Sequence, residues 1–415
     1  MSTELYPEER SDIVVIGGGP AGLAAAISLS DAGFRVTVLE QAPEAVWEAP
    51  SFDGREIALT HHSRTLLEAA GAWERVAPDA ISLLKEARVE TGRGHHPLMF
   101  HAPSSQDEPL GWLVSNHELR RALFASARER NGITLCPQSR VATVRRGQDA
   151  DYVHVVSSGE TRRIAARLVI GADGRFSPTR RRAGIGAIVH DFGRMMMVCR
   201  MAHDVPHDNV ALQWFDEGQT IAMLPVQGQA SSLVLTLPPE ETSRLLNMEP
   251  EAFAADIMAR TDGRFGEMRL ISTRHVYPLK CVYAHRFAAP RLALIGDAAV
   301  GMHPITAHGF NLGLRGQETL TQEVSRAAER GEDIGALSVL RRFERRHRHV
   351  TMPLFAGTNG IASLYTRDGL LPGLVRRAGL RAAEMMPFFR SAVTRMLTDP
   401  EETPAAHTRA ARLPR

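Results

Sequence analysis

Asp12-Ile13-Val14-Val15-Ile16-Gly17-Gly18-Gly19-Pro20-Ala21-Gly22 is the stretch on which the fold of this chain turns. Its apolar, β-branched residues stop abruptly at three glycines, as a strand buried on both faces does. Pro20 to Ala32 follows, rich in Ala and Leu, and Gly33 stands where a helix ends. Arg35-Val36-Thr37-Val38-Leu39-Glu40 then reads as a second strand. Strand, helix and strand together take about 30 residues, the length a parallel crossover requires.

Gly17, Gly19 and Gly22 have GxGxxG spacing. The first glycine makes the tight turn, the second admits a pyrophosphate close to the backbone, and the third lets helix and strand pack closely. The phosphate belongs at the helix N-terminus, beside Pro20 and Ala21, where unpaired N–H groups point outward. Glu40, 18 residues after Gly22, ends the second strand where a ribose hydroxyl is held. An acid there favours FAD or NAD over NADP, and the motif alone does not choose between the first two.

Further along, Arg64 to Ala72 and His117 to Arg130 have helical character, and Val141 to Val156 reads as two strands around Gly147-Gln148-Asp149. Arg167 to Ile170 and Arg291 to Ile295 are short strands that end in Gly171-Ala172-Asp173-Gly174 and Gly296-Asp297-Ala298-Ala299. Between them, Val210 to Phe215, Thr220 to Leu224 and Ser232 to Leu237 alternate and are separated by turn residues, the pattern of an antiparallel sheet. Gly316 to Arg330, Leu337 to His349 and Leu370 to Leu397 read as helices. The expected fold is α/β: a Rossmann-like dinucleotide domain interleaved with an antiparallel-sheet substrate domain, and a helical C-terminus. The expected divisions are 1–72 with 110–180 and 286–330, 73–109 with 181–285, and 331–415.

At 415 residues, 44% hydrophobic and 23% charged, the chain is neither disordered, a coiled coil nor collagen-like, and it has length for two or three folding units. Its 49 basic residues include only Lys85 and Lys280 as lysines, a bias best explained by the base composition of the coding DNA. From Arg341 onward 14 arginines face six acids, a local +8 that leaves −6 for the first 340 residues of a chain with formal charge +2. Cys136, Cys199 and Cys281 lie far apart with no metal-ligand spacing, so neither a disulfide framework nor a metal site is expected. Met1 to Asp12 does not read as a signal peptide, and nowhere do 18 apolar residues run together. A cytoplasmic location is expected. The run Arg341-Arg342-Phe343-Glu344-Arg345-Arg346-His347-Arg348 belongs to no nucleic-acid module and reads as a solvated helix face, so no nucleic acid is expected as a partner.

Gly171-Ala172-Asp173-Gly174-Arg175-Phe176-Ser177 resembles the GADGxxS element of the flavoprotein aromatic monooxygenases of the para-hydroxybenzoate hydroxylase type. Gly296-Asp297-Ala298-Ala299, followed by His303-Pro304 and Gly309-Phe310-Asn311-Leu312-Gly313, resembles their second FAD element. With the glycine motif, the three stand in the expected order, so the resemblance covers nearly the whole chain. Arg55-Glu56-Ile57-Ala58-Leu59 and Gly309 to Arg315 resemble, in particular, the ubiquinone-biosynthesis hydroxylases. Many of these read HPxxGQGxNxGLRD, whereas this chain has Ala307-His308 for the Gly-Gln pair and Arg315-Gly316 at the end. That exchange is compatible with a subgroup acting at the demethoxy position, a 5-demethoxyubiquinol 5-hydroxylase.

The resemblance implies FAD as cofactor and NAD(P)H as a transient co-substrate without a domain of its own. The implied reaction uses O2 to hydroxylate the ring of a polyprenylated phenol or quinol through a flavin hydroperoxide. It places Asp297 by the ribityl chain or pyrophosphate, where a helix cap is the plainer reading. It gives Asp173 the fixing of a loop over both nucleotides, against a simple Asp-Gly turn. Arg120 matches a position that contacts FAD phosphate or ribityl, and Arg55 one near the FAD. Gly309 and Asn311 would turn backbone N–H groups to the flavin pyrimidine end. His303 and His308 are the candidate bases for the phenol proton, having a suitable ordinary pKa.

Two other readings keep the fold: a flavin-dependent prenyl-chain reductase that inserts no oxygen, and a non-enzymatic FAD-binding scaffold in a quinone-biosynthesis complex. Leu370 to Leu397 mixes apolar residues with Arg376, Arg377, Arg381, Arg390 and Arg395. Such a helix either packs on the protein body or lies peripherally on the inner membrane face.

Overall fold

The computed structural model describes residues 8–91, 97–101, 109–216, 218–304 and 308–366. Ala307 and the segment 370–397 lie outside them, and with them the expectations attached to both.

Strand Glu8–Ile16 is flanked by two parallel partners, Val36–Leu39 on one side and Glu160–Gly171 on the other. Leu292–Leu294 and Ile133–Cys136 extend the parallel sheet outward. Ile13 to Ile16 are fully or nearly fully buried, which is why this segment carries no polar alternation. Helix Pro20–Asp31 covers the sheet and buries seven of its twelve residues, because helices Asn116–Arg128 and Gly309–Glu329 pack on it as well. The strand order reverses around Glu8–Ile16, and open parallel sheets bind ligands at such a reversal, beyond the carboxyl ends of the strands.

Ser139–Arg145 and Asp151–Ser157 add an antiparallel extension to the same sheet. The second large sheet has nine strands and is mostly antiparallel, running from Val300–Gly301 through His275–Ala284, Ala187–His203, Ala230–Leu237, Gln219–Val226 and Val210–Asp216 to Glu86–Thr91 and Leu98–His101. Met197, Leu235, Ile221 and Trp214 face one way from this sheet, into a core shared with helices Pro239–Leu246 and Pro250–Arg260. A three-stranded sheet, Glu56–Leu59, Gly111–Ser115 and Ile81–Leu84, stands beside both. The architecture is the α/β fold that the sequence predicts, with a helical C-terminus.

Two helix boundaries differ from expectation. Helix Gly309–Glu329 starts seven residues before Gly316, so the Gly309 to Gly313 segment of the second FAD element forms its first turns. Helix Leu337–Thr366 does not stop at His349 but runs through Pro353. Proline lacks one N–H, and the packing of Phe343, His347 and Phe355 against the body holds the helix together across that gap.

Candidate active site

A cavity of about 700 Å³ opens where the parallel strands end. Four neighbouring strands each deliver a motif to its rim: Gly18 and Gly19 after Ile16, Glu40 after Leu39, Ala172 and Gly174 after Gly171, and Gly296 and Asp297 after Leu294. The opposite wall is a face of the nine-stranded sheet, with Met196, Val198 and Leu279 forming an apolar cluster there.

Gly17 has φ +111°, and a Cβ there would sit 2.4 Å from the Ala172 carbonyl oxygen. Gly22 approaches the Gly17 oxygen so closely that a Cβ would meet it at 2.0 Å. Ala21 is pressed between Gly296 and Gly313, which sets helices Pro20–Asp31 and Gly309–Glu329 close together. Gly19 differs, because a Cβ there would meet nothing within 4 Å. Its backbone therefore faces open cavity at the start of a helix that has no side-chain cap.

The Glu40 carboxylate accepts from Gly18 N at 2.8 Å and Ala42 N at 3.0 Å. Each carboxylate oxygen can accept a second bond, so a ribose hydroxyl has a partner here. Trp47, which sequence reasoning did not single out, lies across Gly18 and donates Nε1–H to its carbonyl at 2.9 Å. Only the tight contact with a glycine identifies it.

Arg120 points into the cavity without an ion pair or hydrogen bond among the described residues. Arg55 also lines it, paired with Asp53 at 2.6 Å and lying over the Tyr277 ring. Burial works against the Arg55 charge, but Asp53 outweighs it and raises the guanidinium pKa. Asp297 meets Arg175 at 3.1 Å. Asp173 does not line the cavity: its carboxylate accepts from Ser177 Oγ and from Thr179 N, and so shapes its own loop.

Asn311 likewise turns away from the cavity. Its amide brackets strand Glu56–Leu59, donating to Ala58 O at 2.8 Å and accepting from Thr60 N at 3.4 Å. Gly309 is on the wall, at the first turn of a helix without a side-chain cap or an acid in that turn. Of the two candidate bases only His303 lines the cavity, edge-on to Phe192 at 4.7 Å. Burial, with Arg175 and His190 adding like charge, pushes its pKa down to about 4. His308 is buried at the helix start. Glu56 was missed: its buried carboxylate on the cavity wall binds Arg200 at 2.6 Å and Ser115 Oγ at 2.8 Å.

An uncapped helix start, an open backbone at Gly19, an acid at Glu40 and an unpaired Arg120 fit a dinucleotide with its pyrophosphate and ribose. Residues 10–336 match the family described as FAD binding domain. The chain belongs to that family. Members similar to it include ubiquinone hydroxylase UbiM of Neisseria meningitidis, 40% identical over 393 residues that cover 94% of this chain and 85% of the relative. The 3-demethoxyubiquinol 3-hydroxylase of Escherichia coli is 31% identical, covering 91% and 95%. Among solved structures, p-nitrophenol 4-monooxygenase PnpA of Pseudomonas putida has the same fold, with a TM-score of 0.72 at 17% identity over 94% of this chain and 98% of that one. Among the described residues no helix of this flavoprotein is long and apolar enough to cross a membrane, and no cluster of His, Cys, Asp or Glu is placed to hold a metal.

Proposed function

We propose that this flavoprotein hydroxylates the aromatic ring of a polyprenylated ubiquinone precursor, using NAD(P)H and O2. One observation carries the reading: a single cavity joins the dinucleotide motifs to an apolar sheet wall. The prenyl-chain reductase and scaffold readings are not favoured, since the relatives are named as hydroxylases.

FAD, when bound, supplies the activation of O2 and the transfer of one oxygen atom to the ring. The chain's own residues hold, orient and enclose. The helix start at Gly19 and Pro20 and the Arg120 guanidinium would receive the phosphates, and Glu40 would take the ribose. Asp297 would hold the ribityl chain, Arg55 would close one side, and Gly309 would offer helix N–H groups to the ring system. Asp173 and Asn311 position the loop and the strand behind these groups. His303 is neutral at physiological pH. A phenol of pKa about 10 cannot leave its proton on so weak a base. Its task is therefore to hydrogen-bond the substrate oxygen and orient the ring. His308, behind the wall, supports the helix start.

We assign residues 1–72, 110–180 and 286–330 to the cofactor and 73–109 with 181–285 to the substrate. Because such a substrate partitions into lipid, peripheral membrane contact through 370–415, and membership in a quinone-biosynthesis complex, are part of the proposal. Flotation on anionic liposomes with and without 370–415 tests the former, and equal binding removes it. The activity test is 18O2 incorporation with a demethoxyquinol or prenylphenol and NADH. Label in the ring supports the hydroxylase, and NADH oxidation without label overturns it.

A further inference from the structure

The sheet wall of the cavity is apolar apart from Tyr277, whose hydroxyl donates to Asp53 O at 2.7 Å, and one further strip. Strand register places Met196, Thr236 and Thr220 in one row across three strands, with Val234, Ala222 and Gln213 in the next. All six line the cavity. The Gln213 carboxamide and the hydroxyls of Thr220 and Thr236 make no hydrogen bond among the described residues, although each residue is half-buried.

The fold does not call for these polar groups. Alternate positions, Ile221, Leu235 and Trp214, supply the core on the far side of the sheet. Valine would serve a strand as well as threonine at 220 and 236. Pockets for small molecules are mostly apolar, with a few convergent polar groups that fix the ligand's orientation. Here those groups converge on two adjacent rows. Thr236 stands beside Met196, whose cluster includes Phe192, the ring against His303. The strip therefore begins one strand from the wall under His303 and runs away from it.

We propose that Thr236, Thr220 and Gln213 form the subsite that binds the oxygen substituents of the substrate ring and thereby selects the carbon presented for hydroxylation. The inference rests on the hydroxylase reading and names how that site recognises a hydroxylated or methoxylated ring. Thr220 and Thr236 face each other on adjacent strands about 4.8 Å apart, so their hydroxyls serve neighbouring substituents. Gln213 offers both a donor and an acceptor one strand further out. An aliphatic tail finds no use for the strip, so the ring and not the chain occupies it.

The test uses the FAD-loaded full chain with Thr220→Val/Thr236→Val and with Gln213→Leu. Binding of a short-tailed demethoxyquinol is titrated by its perturbation of the flavin absorbance, and the product is located by mass spectrometry after 18O2 turnover. Binding should weaken about tenfold, as the loss of one to two hydrogen bonds implies. More NADH should be consumed per ring hydroxylated, and a second product position should emerge. FAD affinity and melting temperature should stay at wild-type values, and Thr220→Ser/Thr236→Ser should restore binding. Unchanged affinity and product position in both variants, with a wild type that labels the ring, overturns the subsite alone. Loss of FAD in the threonine variant also overturns it, because the hydroxyls would then serve the fold. A wild type that inserts no label overturns the hydroxylase reading itself.

Discussion

Arg175 clasps Asp297 across the cavity rim, with Nη2 3.1 Å and Nε 3.3 Å from the same carboxylate oxygen, Oδ2. Its Nη1 donates to the Lys280 carbonyl at 2.7 Å, and Nη2 also reaches Met302 O at 3.4 Å. One side chain thus ties the loop after Gly171 to the turn after Leu294 and to strand His275–Ala284.

Arg175→Met should accordingly cost about 1–3 kcal/mol, since it strands partly buried acceptors. Urea unfolding measures the loss, and FAD affinity should fall with it. Asp297→Asn should be milder for stability because Arg175 keeps its two carbonyl partners. An Arg175→Met protein as stable as wild type would show that the clasp is idle.

Gly19 and Gly22 should fail differently on substitution. Gly19→Val places its side chain in open cavity, so the melting temperature should hold while FAD affinity drops by about tenfold or more. Gly22→Val drives a side chain into the Gly17 carbonyl, so the protein should not fold. Flavin absorbance and thermal melts distinguish the two.

Arg120 has no hydrogen-bond or ion-pair partner among the described residues. Arg120→Met should leave urea stability within about 0.5 kcal/mol of wild type and weaken FAD binding in a salt-dependent way. A destabilised variant with normal flavin affinity would contradict its placement as a phosphate ligand.

His303 and His347 should make the protein sensitive to mild acid. Burial is the main cause in both: it pushes each down to about 4, with Arg175 and His190 adding to the effect at His303 and Arg315 at His347. The unfolded chain, with histidines near 6.5, binds more protons between those values. Stability is therefore complete above about pH 6.5 and drains away as the pH falls toward 4. Each histidine contributes on the order of 1–3 kcal/mol over that window. Denaturant melts from pH 7 to 4.5 should show a shallower decline for His347→Gln than for wild type.

Contiguity decided what could be read from the sequence. The βαβ unit, its glycines and Glu40 lie within 30 residues, where spacing alone fixes geometry, and the structure brings Gly18, Gly19 and Glu40 to one rim. Glu56 illustrates the opposite. Its partners Ser115 and Arg200 are 59 and 144 residues away, and strand Glu56–Leu59 is only four residues long, too short to show a period. Asp173 and Asn311 have recognisable motif positions, but their side chains hold neighbouring backbone and do not line the cavity. A motif marks where a segment sits without saying where each side chain in it points. The helix through Pro353 was obscured because proline is a local stop signal, overridden here by packing on a body distant in sequence.

Ala362, near the end of helix Leu337–Thr366, is itself part of the cavity wall. The reaction chamber is thus closed partly by a beam anchored some twenty residues earlier, at Phe343 and His347. Strain at that anchor would be felt as leakage, with water entering a compartment whose chemistry needs dryness. Substitutions around Phe343, remote from every reacting atom, would then show up as wasted reducing equivalents and peroxide in the medium before they showed up as unfolding.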